Sequence, residues 1–190
     1  MSQTAPPEFI GYHGCSSAVV ESIKTQNFIL PQRDDLWFGK AAYFFAECTV
    51  YHSDEHAKLW AIKAAKIKGD HRLKYPEYAV LKVVIIPANL LDMTKDLGKE
   101  MFQRTLDALR SRRLPIKGEW EDQIVIDFMI SEFDFDVLIT DVYSRFEYEI
   151  VNNIRSNVPN CRIISVYKPQ TSIDTSKIVV LSTGPVPPTL

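Results

Sequence analysis

Trp37-Phe38-Gly39-Lys40-Ala41-Ala42-Tyr43-Phe44-Phe45-Ala46 is a turn feeding a strand. Gly39 marks the turn, and Ala41 to Ala46 is apolar or aromatic throughout before the charged Glu47, the pattern of a buried strand. Phe44 reads as core. Tyr43 is the amphipathic member of the run, an apolar ring with a polar tip, and suits a strand edge that faces a cleft. Thirty positions earlier, Gly11-Tyr12-His13-Gly14 closes a short strand predicted over Phe9 to His13.

Working outward, Ser16 or Ser17 caps a helix that carries Val19, Val20 and Ile23 on one side and ends at Asn27-Phe28. Gln32-Arg33-Asp34-Asp35 is a polar loop. Ser53-Asp54-Glu55 opens a strong helix, because a hydroxyl and two acids suit the positive end of the helix dipole; Leu59, Trp60, Ala61, Ile62 and Ala65 give it an apolar side, and it is expected to run to Lys68-Gly69. Tyr78 to Ile86 is a β-branched strand stopped by Pro87. Helical spacing recurs over Lys99–Arg112 and Glu121–Phe133. Four further strands are predicted: Phe135–Thr140, Glu149–Val151, Arg162–Tyr167 and Lys177–Leu181. Gly184 to Pro188 is expected to be a frayed, unpaired tail. Segregated strands with short intervening helices indicate an α+β domain with a mostly antiparallel sheet pair.

The chain has 190 residues, of which 46% are hydrophobic and 11% aromatic, enough for one sizeable core. It is read as a single domain over 1–190, ordered from about 8 to 182. A net charge of −2 gives no overall pull toward nucleic acid or an anionic membrane. The start has no signal-peptide pattern, and no apolar run reaches the ~20 residues of a membrane helix. Three cysteines, Cys15, Cys48 and Cys161, are too few and odd in number for a disulfide scaffold. A cytoplasmic protein, or one delivered into a host cytoplasm, is the expectation.

The paired blocks His13-Gly14 and Phe38-Gly39-Lys40-Ala41-Ala42-Tyr43-Phe44 resemble the ADP-ribosyltransferases of the poly(ADP-ribose) polymerase and diphtheria-toxin type. The two blocks span under a third of the chain, and Ala41 stands where a glycine is usual. The resemblance implies two small, mostly antiparallel sheets with a cleft between them and flanking helices. It implies NAD as substrate, with His13 on the adenine-proximal ribose, the Gly14 backbone on the nicotinamide amide, and Tyr43 stacked on the nicotinamide ring beside Phe38 and Gly39. Tyr51 is a candidate second wall. A late glutamate is expected to stabilise the charge that develops as nicotinamide leaves; Glu149, directly before Ile150-Val151, fits that place. Glu147 shares its strand face and would engage the acceptor. Glu119 and Glu121 are fallbacks.

The function implied is mono-ADP-ribosyl transfer from NAD to a macromolecular acceptor, a protein more than a nucleic acid, in the manner of a bacterial or phage toxin or effector that an inhibitory partner could restrain. The alternatives are an inactive NAD- or ADP-ribose-binding module and an NAD glycohydrolase. No metal is expected. Cys48, His52 and His56 recur every four residues, but the predicted helix starts after two of them and a fourth ligand is missing. Lys63, Lys66, Lys68, His71, Arg72 and Lys74 form one basic stretch and Arg110, Arg112 and Arg113 another; both suit helix ends, and either could guide a phosphate-bearing acceptor.

Overall fold

Hydrophobic strands and amphipathic helices assemble around one seven-stranded sheet in a computed structural model that describes residues 6–32, 36–67, 70–111, 121–144 and 159–188. The elements are β1 (Phe9–Ser16), α1 (Val20–Gln26), β2 (Ala42–Ala46), α2 (Ser53–Ala65), β3 (Glu77–Ile85), β4 (Leu90–Asp92), α3 (Asp96–Ser111), α4 (Glu121–Phe133), β5 (Val137–Val142), β6 (Cys161–Val166), α5 (Pro169–Ser172) and β7 (Val179–Pro185). The strand order is β4-β5-β6-β2-β1-β3-β7, antiparallel except for the parallel pair β4–β5. The fold is α+β, as the sequence indicates.

The two expected sheets are halves of this one. β1 pairs with β3 over eight residues, from Phe9↔Ile85 to Ser16↔Tyr78, but meets β2 at only two, Gly11↔Ala46 and Tyr12↔Phe45. Past that seam the ladder between β1 and β2 stops while each strand stays paired to its outer neighbour. The halves are therefore continuous at one end and split at the other.

Alternation along the strands divides the core between the faces. One face packs Cys15, Phe44, Leu81, Val83, Ile164 and Val166 with Val20, Ile23 and Phe28. The other packs Phe45, Val80, Cys161 and Ile163 against Ala57, Ala61 and Ala65, which are wholly buried and four residues apart on α2. That small-residue row lets the helix lie close to the sheet. α3 and α4 bury Leu106, Leu109, Val125 and Met129 against Leu91 and Leu138.

Several boundaries differ from the sequence reading. Ser16 does cap, accepting from Ala18 N at 3.3 Å. Ser53 does not: it lies inside α2 and its hydroxyl donates to the Ala46 carbonyl at 2.5 Å, tying the helix to β2. α2 ends at Ala65, where Lys74 N takes the Ala65 carbonyl. The C-terminal stretch is not a frayed tail throughout. Gly184 pairs with Tyr78 and Pro185 with Glu77, Val186 N donates to Pro76 O at 2.8 Å, and the Val186 side chain is buried. Proline is tolerated because β7 is an edge strand and the missing N–H faces no partner strand.

Candidate functional site

The split between β1 and β2 opens into a cavity of about 510 Å³, within the range of roughly 300–1,000 Å³ usual for small-molecule sites. It is lined from β1 by His13, Gly14 and Cys15, from β2 by Ala42 to Phe45, from α1 and the segment after it by Ser22, Asn27, Phe28 and Ile29, and from α2 by Trp60. Ser144, just after β5, closes one side.

His13 spans the split. Its Nδ1 lies 2.8 Å from the carbonyl oxygen of Tyr43, on the strand from which β1 has parted. A carbonyl only accepts, so Nδ1 carries the proton and Nε2 is left as the acceptor of the neutral ring. The ring packs edge-on to Phe28 at 5.0 Å and against Phe44 at 5.5 Å. Burial holds its pKa below the ordinary 6.5, and the bond to Tyr43 offsets this only in part. A depressed pKa means that the unfolded chain takes up the proton first as pH falls. The stabilisation is thus complete above about pH 6.5 and is lost as pH drops from there through the folded-state value. Replacing His13 by Asn is expected to flatten that part of the stability profile, read as urea midpoints between pH 7.5 and 5; parallel profiles for parent and variant would refute the assignment.

Gly14 comes two positions after the last β1–β2 pair and faces α2. A Cβ there would sit 1.9 Å from the Ala57 carbonyl oxygen and 2.9 Å from Ala61 Cβ. The close approach that requires glycine is therefore that of the helix backbone. Gly39 is required on two grounds: its φ is +76°, in the left-handed region, and a Cβ would meet Asp127 Oδ1 at 2.3 Å.

Tyr43 is half-buried with a fixed hydroxyl, which donates to Gly39 O at 2.6 Å and accepts from Phe38 N at 3.1 Å. Tyr167 reinforces the same turn, donating to Phe38 O at 2.7 Å. The polar tip of Tyr43 thus holds the Phe38-Gly39 turn, and the ring lines the cavity in one orientation. Tyr43 packs with the α2-side cluster and His13 with the opposite one, so the cavity is lined by residues of both faces of the sheet.

Of the residues expected at the site, His13, Gly14 and Tyr43 converge on the cavity. Phe38 packs into the α3–α4 core and Gly39 shapes the turn; neither lines the cavity. Tyr51 stands apart from it, with its hydroxyl donating to Pro159 O at 3.3 Å. Glu147, Glu149 and Glu119 lie outside the described residues, and Glu121 opens α4. Both borders of the stretch holding Glu147 and Glu149 are fastened to each other: Ser144 N donates to Asn160 Oδ1 at 2.8 Å and Asn160 Nδ2 donates to Ser144 O at 2.7 Å. Cys48, His52 and His56 do not form a metal site; His56 is buried against the Phe45 ring, and among the described residues no group of three His, Cys, Asp or Glu could hold an ion. Cys15 lines the cavity, but burial pushes its thiol up to about 11, so it is protonated and unreactive at neutral pH.

The sequence reading missed the aromatic and aliphatic rim. Val19, Ile29, Trp37 and Trp60 all line the cavity and are 42%, 78%, 42% and 39% exposed. The available signal was the alanine row at 57, 61 and 65: it fixes the buried face of α2 and leaves Trp60 beside it, at the cavity.

No family model and no curated protein matches the chain. Among solved structures it is similar to the crystal structure of the M. tuberculosis MbcT–MbcA toxin–antitoxin complex, at 9% identity and a TM-score of 0.41, covering 96% of this chain and 86% of that one. The likeness is one of fold outline. Among the described residues no helix is long and apolar enough to cross a membrane.

Proposed function

We propose that the chain binds NAD in this cavity and transfers its ADP-ribose to a macromolecular acceptor, releasing nicotinamide, as a mono-ADP-ribosyltransferase. The observation that carries the reading is the convergence of His13, Gly14 and Tyr43 on one cavity where the β1–β2 ladder ends. A cavity of this volume lined from both faces suits an elongated ligand. The Tyr43 ring, fixed by its two hydroxyl bonds, offers a flat surface for the nicotinamide. Past Tyr12 the β1 edge toward β2 has no ladder, which suits pairing of the ligand's carboxamide with the Gly14 peptide. Neutral His13 offers Nε2 to a ribose hydroxyl.

In the reaction the bond from ribose C1′ to nicotinamide breaks, and nicotinamide leaves neutral with the bonding pair. C1′ then bonds the acceptor nucleophile, which gives up a proton. Positive charge builds on the ribose between these events, so the chemistry needs orientation and a negative partner more than a covalent intermediate. Glu149 is assigned that role, and Glu147 is assigned to engage the acceptor nucleophile.

Incubation with NAD labelled on its adenylate half is expected to give free nicotinamide and labelled acceptor. Label recovered only as free ADP-ribose would make the chain a glycohydrolase; no nicotinamide at all would leave a binding module. Tyr43→Ala is expected to weaken NAD binding by about 1–3 kcal/mol, the scale of a lost aromatic stack and its buried area. Tyr43→Phe keeps the ring and should retain most of that affinity. Equal losses in the two variants would assign Tyr43 to the turn alone.

A further inference from the structure

Trp37 and Trp60 come from different elements, the turn before β2 and the middle of α2, and meet at the cavity mouth with ring centroids 6.4 Å apart and planes at 64°. The pair makes an open corner: one indole face as a floor and the other ring as a wall. Both residues remain about two-fifths exposed, so an incoming flat ring gains apolar contact by covering them. The Lys63 ammonium, one turn along α2, stands over one face of the Trp60 ring, 5.7 Å from its centroid, and leaves the other face and Trp37 for a base. An aromatic corner beside a cation is the chemistry that recognises a flat ring carrying an anion, as in an unpaired nucleotide. Lys63 also begins the basic stretch that continues through Lys66 to Lys74. Trp37 and Trp60 line the same cavity as Tyr43 and Gly14, so a group held in the corner shares that cavity with the nicotinamide.

We propose that Trp37 and Trp60 form an acceptor subsite that stacks an unpaired nucleobase of single-stranded nucleic acid, with Lys63 beside its phosphate. This rests on the NAD reading above and names its acceptor class. In the transfer a base nitrogen gives its electron pair to C1′ as the bond to nicotinamide breaks, and the nitrogen loses its proton to solvent. The chain's net charge of −2 is no obstacle, since one stacked base and a local cluster of lysines do not need a basic domain.

The test uses a fluorescently labelled 12-nucleotide single strand, as DNA and as RNA. Binding to the full chain is followed by anisotropy at low salt, and transfer from NAD to the strand by mass. The parent is expected to bind and modify at least one of the two strands, and the two arms separate DNA from RNA. Trp37→Leu and Trp60→Leu are each expected to weaken strand binding about tenfold, the scale of one lost base stack, and to reduce transfer to the strand by more than they reduce nicotinamide release in its absence. Lys63→Gln should lower the salt dependence. Thermal melting of both tryptophan variants checks that they fold, which their exposure favours. No binding of either strand, binding unaffected by both tryptophan substitutions, or transfer to proteins alone would overturn the proposal. A strand that binds in a tryptophan-dependent way without any nicotinamide release would instead overturn the NAD reading and leave the base-stacking corner standing.

Discussion

Asp136→Ala is expected to cost about 3–5 kcal/mol of folding stability, although the residue lies away from the cavity. Its carboxylate is buried and accepts three hydrogen bonds: Ala88 N at 2.8 Å, Asn89 N at 2.8 Å and the Ser172 hydroxyl at 2.8 Å. Its own peptide is engaged as well, N–H to Asn89 O and C=O from Tyr167 N. One side chain thus joins the link between β3 and β4, the start of β5, and α5. Hydrogen bonds to a charged group contribute roughly 1.5–3 kcal/mol each and do not add in full when they share an acceptor. Alanine leaves two peptide N–H groups without their carboxylate acceptor. Against a typical total of about 5–15 kcal/mol, the variant should show a much lower urea midpoint with an unchanged slope. Asp136→Asn, which keeps one oxygen, should fall between. A midpoint within experimental error of the parent's would mean that these groups find other acceptors.

Glu149→Gln is expected to slow transfer by about 10² or more, the loss seen when one electrostatic partner of a transition state is removed. Shape is kept and only charge is lost, so NAD affinity should change little. Ser144 lines the cavity and Glu149 follows it by five positions. Glu147→Gln should instead reduce transfer to the acceptor and leave NAD hydrolysis largely intact. Single-turnover rates of nicotinamide release and of label transfer separate the two effects. Parental rates in both variants would move the catalytic carboxylate elsewhere.

Strands with long apolar runs were legible in the sequence. Tyr78–Ile86 and Ala41–Ala46 are continuous enough that burial decides their state, and both appear within a residue of the expected ends. β4 was not legible: Leu90–Asp92 has three residues, and its strand character comes from the parallel neighbour β5, which sequence does not display. Pro185 was misread because a proline forbids a central strand but not an edge, and edge position is a property of the whole sheet. At the site, the identities of His13, Gly14 and Tyr43 were legible, but part of what those residues do was not. Gly14 is small for α2 as well as for any ligand, and the Tyr43 hydroxyl serves the turn. The duty of Gly14 arises from its contact with Ala57 on α2, far along the chain, and that of Tyr43 from the turn just before its own strand.

Strand addition by a second chain needs an unbroken row of backbone donors and acceptors along an edge. β4 offers three residues at one edge. At the other, β7 carries a register shift opposite Val80 and Leu81 and ends in Pro185, with Pro187 and Pro188 following. Val179 and Leu181 are exposed there, yet the backbone beside them is a poor template for a further strand. The sheet can therefore carry a solvent-facing apolar rim at its central split without its borders inviting edge-to-edge aggregation, and self-association at high concentration should proceed through that rim, not through the growth of the sheet.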